Sequence, residues 1–117
     1  HHGDVPALAW RIEIADQIVV IAGAFNNSKN VVATFAKDAD ALVVSHAIAE
    51  NSRGALRELY SRPSQLGRVA AQADARMMIL GHRNSRTRGR ESISRSAMEE
   101  HYEGAILFAN DGECWGL

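Results

Sequence analysis

The sequence lacks several features that would assign it to a class of protein at once. Cys114 is the only cysteine among the 117 residues, so an internal disulfide is excluded and we expect a reducing compartment, the cytoplasm. No apolar run approaches the roughly 20 residues of a membrane span, so we expect no membrane partner. The chain has neither a glycine-rich phosphate-binding loop nor a dinucleotide fingerprint, so these motifs assign no nucleotide-binding function.

The chain also has little net charge. Its formal net charge is −1, from 13 Lys and Arg residues against 14 Asp and Glu. This balance gives no general attraction to polyanions, so nucleic acid is not an expected partner. Apolar residues make up 46%, which predicts a single globular domain over residues 1–117. His1 and His2 resemble the end of an expression tag.

Short apolar runs alternate along the chain with stretches of helical periodicity. The predicted strands lie at 10–14, 18–22, 41–44, 77–80, 105–109 and, as a short edge strand, 113–115. The predicted helices start near Ser28, cover 50–60, start at Pro63 and cover 91–102. Ser28 is expected to cap the first helix, and Ile93 to lie on the buried face of the last. Strands that alternate with helices predict an α/β fold.

A histidine directly follows each of two predicted strands. Residues 76–82 read as a buried strand, a glycine and then His82, and the strand at 41–44 leads to His46. Open α/β sheets place ligands and catalytic groups at the carboxyl ends of such strands. Each histidine is therefore a candidate metal ligand or base, and the alternative is a structural histidine in a loop.

The order of these segments resembles a known family. The segments that carry the resemblance are 19–23 followed by a helix, 39–46, 62–70 leading to 78–82, and 101–112. Together they look like the C-terminal half of a metallo-β-lactamase-fold hydrolase, nearest to the ribonuclease-Z-like and arylsulfatase-like members. The resemblance implies half of an αββα sandwich, with a mixed sheet and flanking helices. It spans nearly the whole chain but about half of the family's fold.

The resemblance also implies a chemistry, which is hydrolysis by two metal ions, usually zinc, that lower the pKa of a bridging water. The family's His-x-His-x-Asp-His cluster belongs to the other half and is absent from this sequence. Ala24 stands where the family has its metal-bridging aspartate, and His82 matches the final histidine ligand. Ribonuclease-Z-like members often have a further histidine that takes part in proton transfer. The nearest residue to that position in this sequence is Tyr60. His82 is thus expected to be a vestigial or partial ligand, with His46 as a weaker candidate and zinc bound weakly or not at all.

Four arginines follow His82 in a loop without acidic residues. Arg83, Arg86 and Arg88 are candidates for a phosphate clamp, because guanidinium groups bind phosphate oxygens in pairs. The alternative is a solvated loop.

Three functional hypotheses follow from these residues. The first is a half-domain or fragment of a metal-dependent hydrolase of ester or phosphodiester substrates, inactive by itself. The second is a non-catalytic α/β assembly or binding module, and the third is a subunit that completes its site with another chain or a complementary half-domain. Because half of a sandwich leaves one apolar sheet face bare, the sequence also predicts a homodimer.

Overall fold

The structure, a computed structural model, describes residues 5–117, so His1 and His2 lie outside the described residues. Its elements are β1 (Trp10–Ile14), β2 (Gln17–Gly23), α1 (Val32–Phe35), β3 (Ala41–Ser45), α2 (Leu56–Leu59), α3 (Pro63–Gln72), β4 (Met77–Gly81), α4 (Glu91–Glu99) and β5 (Ala105–Phe108). The predicted α/β fold is confirmed: a mixed five-stranded sheet carries flanking helices. No helix within residues 5–117 is long and apolar enough to cross a membrane.

The strands lie side by side in chain order, β1-β2-β3-β4-β5. β1 and β2 form an antiparallel hairpin, and β2 to β5 are parallel. The hairpin turns at Ala15 and Asp16, whose φ values of 49° and 64° are those of a tight turn that matches the strand twist. The carboxyl ends of the four parallel strands therefore meet at one edge of the sheet, named here the carboxyl edge.

The main hydrophobic core lies on one side of the sheet, named here the helix face. Leu42, Val44, Met78 and Leu80 of the central strands are at most 2% exposed there. They belong to one cluster with residues of three helices: Ala33 of α1, three residues of α3 and Met98 of α4. The stripe predicted for the helix from Pro63 is confirmed, since Leu66, Val69, Ala70 and Ala73 are all buried. The opposite side, the open face, carries a smaller cluster built around Ala41, Met77 and Ile79.

Two predicted helices are shorter than expected, for local reasons. The helix predicted at 50–60 is reduced to Leu56–Leu59, because Gly54 has a φ of +68° and Glu50 is bonded to Ser64. Ser28 does not cap α1: its backbone N–H donates to Asn26 Oδ1, and the first helical residue is Val32. Asn27 and Asn30, with φ of 57° and 48°, keep this stretch in turns.

Two further predictions near the C-terminus are wrong. Ile93 is 65% exposed, because α4 turns Ser94, Met98 and the following Tyr102 inward. The strand predicted at 113–115 is absent, since Glu113 folds back and accepts hydrogen bonds from the backbone and side chain of Asn110.

Helices α3 and α4 approach each other closely at Gly67. A Cβ atom at this position would lie 2.6 Å from the carbonyl oxygen and 2.9 Å from the Cα of Met98. Both atoms belong to the backbone of a packed helix, so they cannot move aside without a shift of α4. Gly67 is therefore required by the contact between the two helices, although glycine weakens a helix by about 1 kcal/mol relative to alanine.

We expect Gly67→Ala to lower the free energy of unfolding by about 1–3 kcal/mol, because overpacking outweighs the gain in helix propensity. Arg68→Ala, at an exposed position of the same helix, is the matched control and should change stability by less than about 0.5 kcal/mol. Urea unfolding followed by circular dichroism measures both. A neutral or stabilising Gly67→Ala would contradict the close contact of α3 and α4.

Candidate functional site

The carboxyl edge collects the residues that directly follow the parallel strands. Ala24 follows β2, His46 follows β3, His82 follows β4, and Asn110 lies two residues beyond β5. This arrangement was expected from the sequence, because parallel strands end on the same side. What these residues can do depends on where their side chains point.

His82 is exposed and has a left-handed backbone, with a φ of +53°. Residues other than glycine seldom adopt this conformation, although histidine does so more often than most of them. The Tyr60 ring stacks against the imidazole, with 6.4 Å between ring centroids and an interplanar angle of 21°. The structure therefore presents His82 to solvent at the carboxyl edge, beside an aromatic ring.

His46 lies in the opposite situation, since its side chain is 1% exposed on the helix face. Its backbone N–H donates to the Gly81 carbonyl at 2.8 Å. The imidazole Nε2 lies 2.8 Å from Ser94 Oγ, and the ring lies 5.5 Å from the Phe108 ring, centroid to centroid. Nδ1 is buried, and none of the described residues bonds to it. This placement makes His46 part of the core between β3 and α4.

The environment of His46 favours the neutral imidazole. Burial lowers the pKa of His46 to about 4, and the attraction of Glu91 opposes this shift, while Arg83 adds to it. The carbonyl of His46 accepts a hydrogen bond from the buried Thr87 hydroxyl at 2.9 Å. Loop 84–90 is thus fixed to the end of β3 by Thr87 and by Asn84, whose amide donates to the Ala47 carbonyl.

Arg83 is already paired within the chain. Its guanidinium donates to Glu91 at 2.8 Å, to the Ala109 carbonyl at 2.6 Å and to Asn110 Oδ1. The backbone amide of Glu91 itself, and then Arg83, hold the pKa of the Glu91 carboxyl below its usual value. Arg86 and Arg88 are exposed. Arg83 and Arg88 line a cleft of about 590 Å³ at the carboxyl edge, together with His82, Glu91 and Asp111.

Ala24 borders a second hollow, of about 540 Å³. Its lining is mostly apolar and includes Leu8, Phe25, Val32 and Phe35. A methyl group cannot bind a metal ion, so the position that the resemblance assigns to a bridging ligand offers none here.

The side chains at the edge do not fit a two-metal centre. Within the part of the chain that the structure describes, no three His, Cys, Asp or Glu side chains are grouped closely enough to hold a metal ion. Zinc sites in proteins use three or four protein ligands. His82 is the histidine exposed at the edge, while His46 is enclosed with Ser94.

Comparison with known proteins identifies the fold. No protein-family model matches the sequence, and no curated protein matches it. Among solved structures, the chain is similar to the crystal structure of the metallo-β-lactamase fold protein YhfI from Bacillus subtilis. The TM-score is 0.73 at 19% sequence identity, and the match covers 92% of this chain and 43% of that chain. This chain therefore has the fold of a partial half-domain of the metallo-β-lactamase type, and it spans less than half the length of YhfI.

Sequence reasoning missed two side chains with structural contacts near the site, Ser94 and Glu50. Ser94 was not considered, although it lies one residue from the predicted inward position Ile93. Glu50 accepts hydrogen bonds at 2.8 and 2.6 Å from the backbone and hydroxyl of Ser64, and so caps the N-terminus of α3. No local pattern links residues 14 positions apart, so this contact had no signal in the sequence.

We expect the buried His46 to make the protein sensitive to acid. The unfolded chain takes up a proton on this histidine near pH 6.5, whereas the folded chain does so near pH 4. The free energy of unfolding therefore falls as the pH is lowered from 6.5 to 4, by about 1.4 kcal/mol per pH unit and about 3 kcal/mol in all. Above pH 6.5 the group is neutral in both states and has no effect.

His46→Gln removes the titrating group and should flatten this part of the pH dependence, although it lowers stability at pH 7. His82→Gln, which replaces an exposed histidine, is the matched control and should keep the wild-type slope. Denaturant unfolding at several pH values measures all three proteins. An unchanged slope in His46→Gln would show that other groups cause the acid sensitivity.

Proposed function

We propose that this chain is a half-domain derived from a metal-dependent hydrolase of ester or phosphodiester substrates, and that it does not hydrolyse them alone. The observation that carries the proposal is the exposed His82 at the carboxyl edge of a metallo-β-lactamase-type half-domain. We propose further, on the sequence resemblance alone, that the parent is a ribonuclease-Z-like or arylsulfatase-like member. The unpaired thiol of Cys114 supports a cytoplasmic location.

The incomplete ligand set supports the loss of independent activity. In the family, the aspartate that corresponds to Ala24 carries a negative charge between two dications. Its replacement by a methyl group removes that charge and one ligand from each metal. A lone histidine cannot replace the missing oxygen and nitrogen donors, since zinc requires three or four protein ligands. Zinc, the parent family's cofactor, is therefore bound weakly or not at all by this chain.

We expect the purified protein to contain well under one zinc ion per chain and to leave generic phosphodiester and lactam substrates intact. Ala24→Asp should not restore hydrolysis, because more ligands are missing than the one restored. Elemental analysis and chromogenic substrate assays measure both properties, with His82→Ala as the control for residual metal binding. Two zinc ions per chain, with hydrolysis that a chelator abolishes, would overturn the proposal.

A second candidate function is weak phosphate binding by the arginine loop. The observation that favours it is the exposure of Arg86 and Arg88, with Arg88 lining the same cleft as His82. Against it, the ion pair to Glu91 at 2.8 Å already occupies Arg83, and the carboxylates of Glu91 and Asp111 lie in the same cleft. These acidic groups reduce the attraction for an anion.

We expect inorganic phosphate to bind only at millimolar concentration, and added salt to weaken this binding. Backbone chemical shifts of residues 83–90 should move on titration in the wild type and much less in Arg88→Gln. Glu91→Gln should strengthen binding severalfold, because it removes a negative charge from the cleft and the carboxylate that pairs with Arg83. If the loop signals do not move at millimolar phosphate, the loop is a solvated segment without a phosphate site.

The remaining hypothesis from another class is a non-catalytic assembly module. The open face of the sheet is the feature that supports it. Metal content separates this hypothesis from a working hydrolase, and mass in solution separates a self-contained module from a subunit that works with a second chain.

A further inference from the structure

His82 is held in a backbone conformation that costs free energy. Its φ of +53° lies in the left-handed region, where the Cβ atom of an L-residue crowds its own backbone. Such a conformation persists only where the surrounding structure fixes the chain on both sides, and it is often found at functional sites. The residues around His82 must therefore supply contacts that outweigh this cost.

The chain before His82 is fixed by the sheet. The Leu80 carbonyl accepts a hydrogen bond from the Ala109 backbone at 3.0 Å, and the Gly81 carbonyl accepts one from the His46 backbone at 2.8 Å. β4 is thus bonded on both sides up to its last residue. These bonds set the direction in which the chain enters His82, but they do not set the direction in which it leaves.

The chain after His82 is fixed by the side chain of Arg83. Its guanidinium donates to the carboxylate of Glu91, the first residue of α4, at 2.8 Å. It also donates to the Ala109 carbonyl at 2.6 Å and to Asn110 Oδ1, both directly after β5. This set of three contacts is named here the Arg83 bridge. It ties the residue next to His82 to two other elements of the fold.

The Arg83 bridge is partly shielded from solvent and balanced in charge. The side chain of Arg83 is 16% exposed and that of Glu91 27%, so water and salt screen their ion pair less than a fully exposed pair. An unpaired guanidinium beside His82 would repel any cation that approached the imidazole. The carboxylate of Glu91 offsets this repulsion, and the bridge therefore fixes the chain without leaving an unpaired positive charge next to His82.

We propose that Arg83 is a positioning residue, which holds His82 in its left-handed conformation and so presents the imidazole at the carboxyl edge beside Tyr60. The inference rests on the proposed function, in which His82 is the remaining candidate ligand, and it explains how the chain keeps that ligand in place. An imidazole that is fixed beforehand does not have to be ordered when a cation binds. Arg83 acts through contacts inside the chain and not through contacts with a bound group.

Nuclear magnetic resonance of the full chain tests this role, because a positive φ brings the amide proton close to the α proton of the same residue. The wild type should give a strong intraresidue cross-peak between these two protons of His82. In Arg83→Ala the cross-peak should weaken by about threefold as the residue relaxes to a negative φ. Arg86→Ala, at an exposed position of the same loop, is the matched control and should leave the cross-peak unchanged. A full-strength cross-peak in a folded Arg83→Ala would overturn the proposal.

Two milder variants decide the question if Arg83→Ala does not fold by circular dichroism. Arg83→Lys keeps the positive charge, but an ammonium group does not match the three acceptors as a planar guanidinium does, so the His82 cross-peak should weaken in part. Glu91→Gln keeps a side-chain oxygen for Arg83 and should weaken it less. Full-strength cross-peaks in both variants would show that the sheet and the bonds of Asn84 fix His82 without the bridge.

Tyr60→Leu separates the backbone of His82 from its ring contact. Loss of the stacked ring should shift the imidazole resonances, while the amide to α-proton cross-peak keeps its wild-type strength. A cross-peak that weakens as much in Tyr60→Leu as in Arg83→Ala would assign the positioning role to Tyr60 instead. None of these spectra involves zinc or a substrate. A failure of the proposed function, such as hydrolysis by the chain alone, is therefore distinguishable from a failure of the positioning role.

Discussion

The coverage of the sheet by helices on one side is the constraint on which the rest of this structure depends. Parallel strands that follow one another in chain order need crossover connections, and such connections have the same hand. Strands β2 to β5 lie side by side in chain order, and the order never changes direction across the sheet. The connecting helices α1, α3 and α4 therefore all pack on the same face. The chain thereby gains one well-filled core and is left with an apolar sheet surface on the other side.

The same constraint explains why two histidines at equivalent strand ends have different roles. His46 continues the alternation of Leu42 and Val44, keeps a negative φ and so enters the helix face, where Ser94 meets it at 2.8 Å. His82 follows Met78 and Leu80 in the same alternation, but its φ of +53° turns the chain out of the strand. One dihedral angle thus separates a core residue from an exposed candidate ligand. Alternation alone would have placed both histidines inside.

The strands could be predicted from the sequence because their signal is local. Each of the five observed strands lies within about two residues of its predicted bounds. A short, buried run of β-branched and aliphatic residues in a domain of this size favours a strand over other structures. The helices were less predictable, because their ends depend on distant partners: Glu50 is held by Ser64, and α4 is turned by the contact of Ser94 with His46. The position of the candidate site at the carboxyl edge could be predicted from the order of the parallel strands. The ion pair of Arg83 with Glu91 could not, because it depends on how loop 84–90 folds.

The carboxyl edge owes its position to the sheet, because four parallel strands end there side by side. Its chemistry depends instead on the residues that follow each strand. Ala24 offers no ligand after β2, and His46 is buried after β3. His82 is exposed after β4, and the neighbouring Arg83 is held by Glu91 within the chain. The topology therefore gathers the candidate residues at one edge, while their backbone angles and local partners decide which of them solvent can reach.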